Sequence, residues 1–376
     1  MSSVSATLFR PGPLRGVLRV APDKSISHRT LMLGLLTGGT LAISNLNTGA
    51  DLQATRQAVR GLGARIEGEG SNVVLHAPQR LRAPGTIDCL NSGTTMRLFM
   101  GILGGARVAA RLIGDDSLSR RPMERVAEPL RDAGAAITTT LGHAPVEIAA
   151  HGGLRDIQHR LRVPSAQVKS ALLLAALAAG RRAEISGDER SRDHTERMLH
   201  HLGAQVSWDG ERIELLPSKL VARDLDVPGD PSAAAFLIVG ALTAPGSALT
   251  IEHLCLNPTR DGLIHALRAM GGEIEIVNPR EMGGEPVGDV VVRASALRAI
   301  DLEPALLPTM IDEVPVLAVA AAYARGTTRI RGASELRVKE SDRIEGIAAM
   351  LEAAGVRVTR YPDGVDIVGG ATLARR

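Results

Sequence analysis

One short signature recurs five times in this chain of 376 residues: Leu62-Gly63-Ala64-Arg65-Ile66, Ala133-Gly134-Ala135-Ala136-Ile137, Leu202-Gly203-Ala204-Gln205-Val206, Met270-Gly271-Gly272-Glu273-Ile274 and Ala354-Gly355-Val356-Arg357-Val358. The glycines recur at intervals of roughly seventy to eighty-five residues, a spacing that marks an internal repeat. Each follows an amphipathic helical pattern and precedes a strand, so each reads as a helix C-cap. A Gly-rich turn and a second strand follow, as at 72–76, 145–149 and 212–216. A second kind of helix alternates with the first and is apolar on all sides: 30–36, 96–103, 170–179, 233–242 and 314–324. Helices of that kind are buried.

The repeating unit is therefore roughly βαβαββ, with one buried and one amphipathic helix. Three units precede Pro228-Gly229-Asp230-Pro231, which reads as an inter-domain crossing, and two follow it. The expected fold is an α/β (α+β) chain of two lobes. One lobe spans 21–229 and holds three units. The other is built from 1–20 and 230–376, the first twenty residues lending a strand to it. Two similar lobes would hold three units each, so a sixth unit is expected to be missing from the second.

Composition narrows the function. No apolar run reaches about eighteen residues, so no membrane span is expected. The first fifteen residues lack an apolar core, so no signal peptide is read. Cys89 and Cys255 are the two cysteines, with no paired spacing, which fits a reduced, cytoplasmic location and no cysteine-based zinc site. Net charge is +3, and the aromatics are Phe9, Phe99, Trp208, Phe236, Tyr323 and Tyr361. Base stacking needs aromatics on a basic face, so nucleic acid is not an expected partner. Of 44 basic residues only Lys24, Lys169, Lys219 and Lys339 are lysine, as though a compact ammonium were required there.

The chemistry gathers at helix starts, whose free N–H groups attract anions. Asp23-Lys24-Ser25-Ile26-Ser27-His28-Arg29 opens the first buried helix, with Ser25 as its cap and Lys24 and Arg29 as cations. Asn91-Ser92-Gly93-Thr94-Thr95-Met96-Arg97 opens the second, where Gly93 admits close backbone approach. Ser119-Arg120-Arg121-Pro122-Met123 leads into an amphipathic helix with Pro122 near its first position and Arg121 pointing at the neighbouring starts. Ser165-Ala166-Gln167-Val168-Lys169 opens the third buried helix with neutral hydrogen-bonding groups. Ser191-Arg192-Asp193-His194 opens another helix, Arg192 serving as an anion contact and His194 as a structural residue. Ile311-Asp312-Glu313-Val314-Pro315 opens the fifth buried helix, with Asp312 at or near the cap. Lys339-Glu340-Ser341-Asp342-Arg343 begins a helix expected over 341–354. If these starts converge, they form a cleft for small, multiply anionic substrates. Asp312 and Glu340 would move protons there, with no metal and no cofactor.

In this order, DKSISHR, NSGTTMRL, RRPM, SAQVKSALLLA, IDEVPVLAVAAA and LRVKESDR resemble the 5-enolpyruvylshikimate-3-phosphate synthase family, most nearly the bacterial class that carries DKSISHR and RDHTE. The resemblance spans essentially the whole chain. It implies a two-lobed inside-out α/β barrel of six such units, five of them present here, with the site in the cleft between lobes. It implies transfer of the enolpyruvyl group of phosphoenolpyruvate to shikimate 3-phosphate by a cytoplasmic monomer. It further implies that Lys24, Ser25, Arg29, Ser165, Ala166, Gln167, Arg192, Asp312 and Lys339 hold shikimate 3-phosphate. Lys24, Gly93, Gln167, Arg121 and Arg343 would hold phosphoenolpyruvate, while Asp312, Glu340 and Lys24 do the catalysis. The family's later H-R-[IM]-A-M pattern is not matched at Arg375 and Arg376, so the chain is expected to be a shortened form, poorly active alone. Two other readings compete: the related transferase acting on UDP-N-acetylglucosamine, and a non-catalytic lobe that binds shikimate 3-phosphate.

Overall fold

A computed structural model describes residues 12–187, 191–338 and 341–370. Eleven α-helices lie among them: α1 (Lys24–Leu36), α2 (Ala50–Gly61), α3 (Gly93–Ala106), α4 (Asp116–Ser119), α5 (Glu124–Asp132), α6 (Ala166–Ala179), α7 (His194–His201), α8 (Pro231–Thr243), α9 (Gly262–Ala269), α10 (Val314–Tyr323) and α11 (Arg343–Ala353). The apolar helices α1, α3, α6, α8 and α10 alternate with the amphipathic α2, α5, α7, α9 and α11, and α4 is a single extra turn. The buried helices begin as much as six residues earlier than their apolar stretches do, because each first turn carries the polar residues of a helix start.

All five repeat glycines are left-handed: φ is +105° at Gly63, +108° at Gly134, +88° at Gly203, +89° at Gly271 and +83° at Gly355. The following residue's N–H closes back to a carbonyl five residues earlier, as in Ala64 to Val59, Ala135 to Leu130 and Val356 to Leu351. That pattern ends each amphipathic helix in a Schellman turn and requires a residue without a Cβ at the turn.

The chain divides into two compact units. Unit I comprises Ala21–Pro228 and Glu281–Pro286; unit II comprises the residues up to Val20, Gly229–Arg280 and those from Val287 onward. The crossing falls between Pro228 and Gly229. Residues 281–286, assigned from sequence to the 230–376 lobe, are the tip of the hairpin formed by Glu273–Met282 and Glu285–Arg293, and they group with unit I.

Among the described residues, five small sheets carry the repeat. Unit I holds three, and the middle one shows the pattern. Gly85–Asp88 pairs in parallel with Ala110–Ile113 across α3, and the hairpin of Ala136–Thr140 and His143–Ala149 then joins antiparallel. At the chain crossings the first strands are exchanged. Arg15–Leu18 comes just before α1 in sequence but pairs in parallel with Ala248–Cys255 in unit II. Leu225–Asp226 comes just before α8 but pairs in parallel with Thr40–Ser44 in unit I. Unit II holds two sheets. In the second, isolated parallel bridges at Arg298–Arg325 and Asp301–Arg329 stand where a first strand would lie.

The core of unit I is a tight helix pair. A Cβ on Gly101 would fall on the Ala171 carbonyl, and one on Gly105 on the Ala175 carbonyl, so α3 and α6 meet backbone to backbone. The core of unit II gathers Ile238, Val239 and Leu242 of α8 with Leu317, Ala318 and Ala321 of α10. The helices α8 and α10 leave Phe236 and Tyr323 exposed. No helix among the described residues is long and apolar enough to cross a membrane.

Candidate active site

In unit I the polar first turns of α1, α3, α6 and α7 are tied into one network. Asp23, not Ser25, caps α1: its carboxylate accepts from the Ile26 N–H at 2.8 Å. The chain enters extended at Asp23, which puts Lys24 and Ser25 at the first two helical positions. The exposed Lys24 ammonium donates to Asp51 in the first turn of α2 at 2.9 Å.

Arg29 lies one turn further in and is buried. Its Nη1 donates to the Ser25 carbonyl at 3.0 Å, Nη2 to Ser170 Oγ of α6 at 2.9 Å, and Nε to Thr195 Oγ1 of α7 at 2.7 Å. This one guanidinium therefore fixes three helix starts. Burial lowers its pKa to about 10, opposed by the negative charge of Glu196.

Ser92 caps α3, its hydroxyl accepting from the Thr95 N–H at 3.1 Å. Gly93 is the first helical residue and is hemmed in by cations. A Cβ there would stand 2.8 Å from Arg97 Nη1 and 3.5 Å from Arg121 Nη1. Arg97 is buried and bridges to α6, with Nη1 donating to Gln167 Oε1 at 2.8 Å, while Nη2 donates to the Pro122 carbonyl at 3.1 Å. Gln167 returns a bond from Nε2 to Thr94 Oγ1 at 3.1 Å. Arg121 Nη2 donates to Asn91 Oδ1 at 2.9 Å. Pro122 lies just ahead of the α5 cap, Met123, rather than at the helix's first position. Ser165 caps α6 by accepting from the Val168 N–H at 3.4 Å, leaving Ala166 and Gln167 as the first two helical residues.

The segment from Arg192 to Glu196 is mostly structural. Asp193 accepts from Arg197 Nε at 2.9 Å and from Trp208 Nε1 at 3.3 Å. The buried His194 Nδ1 meets Glu285 Oε1 at 2.7 Å, and Thr195 takes the bond from Arg29. Glu196 faces Lys169 at 2.7 Å with both side chains at most 1% exposed. Arg192 lies near enough to Arg29 to lower its pKa through like charge.

Unit II carries the remaining candidates. Glu313 caps α10 in place of Asp312, which stands in the turn just before it. Asp312 Oδ1 accepts from Arg343 Nη1 at 3.0 Å. Arg343 is the first helical residue of α11, two later than the sequence suggests, and Asp342 caps that helix by accepting from the Glu345 N–H at 3.1 Å. The buried Glu313 accepts from Ser232 and faces Arg260, which also donates to Asp230, so the starts of α8 and α10 share one guanidinium. Lys339 and Glu340 lie outside the described residues.

Unit I thus brings together Lys24, Ser25, Arg29, Gly93, Arg121, Ser165, Ala166, Gln167 and Arg192, and unit II pairs Asp312 with Arg343. Arg97 was missed from sequence, although it lies four residues after Gly93 and therefore on the same helix face, as Arg29 does relative to Ser25. Among the described residues no cluster of histidine, cysteine and carboxylate side chains is arranged to hold a metal ion.

A family model described as EPSP synthase (3-phosphoshikimate 1-carboxyvinyltransferase) matches residues 9–375. The chain is 46% identical over 371 residues to a 3-phosphoshikimate 1-carboxyvinyltransferase of Anaeromyxobacter sp. (strain Fw109-5), with 98% of this chain and 86% of that protein covered. It is 49% identical over 370 residues to a protein of the same description from Halorhodospira halophila, covering 96% of this chain and 83% of the relative. Among solved structures, an EPSP synthase from Acinetobacter baumannii matches with a TM-score of 0.89 at 42% identity, covering 96% of this chain and 84% of that one.

Proposed function

The chain belongs to the EPSP synthase (3-phosphoshikimate 1-carboxyvinyltransferase) family, and from that premise we propose how its own residues share the work. The enzyme is a transferase of the shikimate pathway: it moves the enolpyruvyl group of phosphoenolpyruvate to the 5-hydroxyl of shikimate 3-phosphate and releases phosphate. The observation that carries the division of labour is the joining of helix starts in unit I by Arg29, Arg97 and Gln167.

Lys24, Ser25, Arg29, Ser165, Ala166, Gln167, Arg192 and Lys339 hold shikimate 3-phosphate. Its phosphate suits the free N–H groups and hydroxyls at the starts of α1 and α6. Phosphoenolpyruvate takes Lys24, Gly93, Gln167, Arg121 and Arg343. Gly93 suits it because the absent side chain leaves the first amide of α3 open beside two guanidinium groups.

The 5-hydroxyl oxygen attacks C2 of phosphoenolpyruvate while Asp312 takes the hydroxyl proton and Glu340 protonates C3. This gives a tetrahedral adduct. Glu340 then removes a proton from the new methyl group, the bond from C2 to the phosphate oxygen breaks, and the enolpyruvyl ether remains. Arg343 orients Asp312 for the first step. The surrounding cations stabilise the charge that develops on the adduct. The protein acts as a monomer in the cytoplasm, where two buried cysteines outside any disulfide are at home.

Phosphate release is the assay. Turnover should require phosphoenolpyruvate and shikimate 3-phosphate together, and Asp312→Asn should slow it at least about a hundredfold. UDP-N-acetylglucosamine should not replace the acceptor. Turnover of phosphoenolpyruvate with UDP-N-acetylglucosamine as the acceptor, or an undiminished rate in Asp312→Asn, would contradict the assignment.

A further inference from the structure

Behind the helix starts of unit I runs a buried chain of four polar side chains that the reaction above does not use. His28 Nδ1 lies 2.7 Å from Thr55 Oγ1, Thr55 Oγ1 lies 2.7 Å from Thr95 Oγ1, and Thr95 Oγ1 donates to Ser92 Oγ at 2.6 Å. His28, Thr55 and Thr95 are 0% exposed and Ser92 is 1% exposed. The chain links the first turn of α1, through α2, to the cap of α3.

Its direction follows from counting hydrogens. Ser92 Oγ already accepts twice, from the Thr95 N–H and from the Thr95 hydroxyl. Thr95 has then spent its one hydrogen on Ser92, so Thr55 must donate to Thr95 and His28 must donate to Thr55. The imidazole therefore carries its proton on Nδ1, and Nε2, which has no hydrogen-bond partner among the described residues, is a bare lone pair. Burial, with Lys24 adding like charge, lowers the His28 pKa to about 3, so the ring is neutral and holds one N–H. At the far end the Ser92 hydroxyl keeps one hydrogen with no acceptor on the described residues. That donor sits at the amino end of a helix of 14 residues, next to Gly93.

We propose that Ser92 donates this hydrogen to the phosphoenolpyruvate bound at the start of α3, and that His28 is a positioning residue that fixes the donor's direction through Thr55 and Thr95. The inference rests on the assignment of phosphoenolpyruvate to Gly93 and Arg121. Reversing the chain would leave an N–H on Nε2 unpaired in the core, and a buried orphan donor is costly. A bound anion accepts the hydrogen that the forward direction leaves on Ser92. In the sequence, Ser92 and His28 stand only as members of the two helix-start motifs, with no role of their own.

The test is the affinity for phosphoenolpyruvate in the presence of saturating shikimate 3-phosphate. Ser92→Gly removes the hydroxyl at a position where glycine is itself a good cap. It should weaken phosphoenolpyruvate about tenfold and leave shikimate 3-phosphate within about twofold, the size of one charge-assisted hydrogen bond. His28→Leu and Thr55→Val should each give a similar loss, and neither should add to it in a Ser92→Gly background. His28→Asn, whose amide N–H can reach Thr55, should restore most of the affinity.

Full losses from His28→Leu persisting on top of Ser92→Gly would overturn the relay. Unchanged affinity in Ser92→Gly, with Gly93→Ala still impaired, would overturn the Ser92 contact while leaving the phosphoenolpyruvate site in place. If neither variant changes affinity, the assignment of that site has itself failed. Nitrogen-15 spectroscopy of the unmodified protein reads the tautomer directly and does not depend on any variant folding. A proton on Nδ1 with phosphoenolpyruvate bound supports the relay, and a proton on Nε2 overturns it.

Discussion

Gly93 shows how a single absent atom shapes the site. Gly93→Ala places a methyl group 2.8 Å from Arg97 Nη1, so the guanidinium must move away from Gln167. The expected result is at least a tenfold rise in KM for phosphoenolpyruvate, about 1.4 kcal/mol, with shikimate 3-phosphate affinity nearly unchanged, read by steady-state kinetics and calorimetry. Lys169 makes the opposite point. Its retention in an arginine-rich chain suggested a place that needs a compact ammonium, and that ammonium is sealed against Glu196, away from any ligand, where burial raises the carboxyl pKa and Lys169 opposes that. Lys169→Met should cost about 3–5 kcal/mol in denaturant unfolding, because it strands a buried charge, and Lys169→Met with Glu196→Leu should recover much of it. His28 supplies an acid-sensitive term. Its pKa is about 3 folded against 6.5 unfolded, so the unfolded chain binds more protons between those values and stability falls as pH drops through 6.5. Near pH 5 the loss from this residue should be about 2 kcal/mol, and His28→Asn should flatten the unfolding curve over that window. Lysine, histidine and arginine positions were legible in the sequence. Which of them face a ligand and which face a carboxylate was not, because that depends on residues far away in the chain, such as Glu285 opposite His194.

At the scale of elements, much of the architecture could be read from periodicity. The five cap glycines turned out left-handed because a Schellman turn leaves no alternative, and Gly134→Ala should cost roughly 1–2 kcal/mol for that reason alone. The apolar stretches marked the helices, and their polar first turns, which break the hydrophobic pattern, were legible instead as the charged and hydroxyl motifs that open them. Cap positions differ in detail: Asp23 rather than Ser25 caps α1, its carboxylate reaching the Ile26 N–H, while Asp312 stands one residue before Glu313, which holds the cap position of α10 with its carboxylate turned to Ser232 and Arg260 instead of the helix. The contact between α3 and α6 could not be read at all. Gly101 and Gly105 looked like ordinary interior glycines, yet each lies against a carbonyl of the partner helix. Gly101→Ala should therefore yield little soluble protein, and what folds should melt far below the unsubstituted protein in a thermal scan.

For the molecule as a whole, the repeat explains why anion-binding groups collect at one set of helix starts: each unit presents a buried helix whose amino end carries the polar residues. The exchange of first strands at the crossings, Arg15–Leu18 into unit II and Leu225–Asp226 into unit I, makes the chain order of units differ from their spatial grouping. The hairpin tip at 281–286 was illegible because Gly283-Gly284 looks like any tight turn, and nothing local signals that Glu285 meets His194. Glu285→Ala should destabilise unit I by about 1–3 kcal/mol by orphaning that imidazole, measured by thermal or denaturant unfolding.

The central claim is that helix starts in unit I grip a phosphorylated acid. It is tested most directly by calorimetric titration of shikimate 3-phosphate into the protein and into its Lys24→Met variant. Lys24 is exposed and bonded to Asp51, so the variant should fold normally. The unsubstituted protein should bind saturably and the variant at least tenfold more weakly, about 1.4 kcal/mol. Equal affinities, or no binding to either, would contradict it.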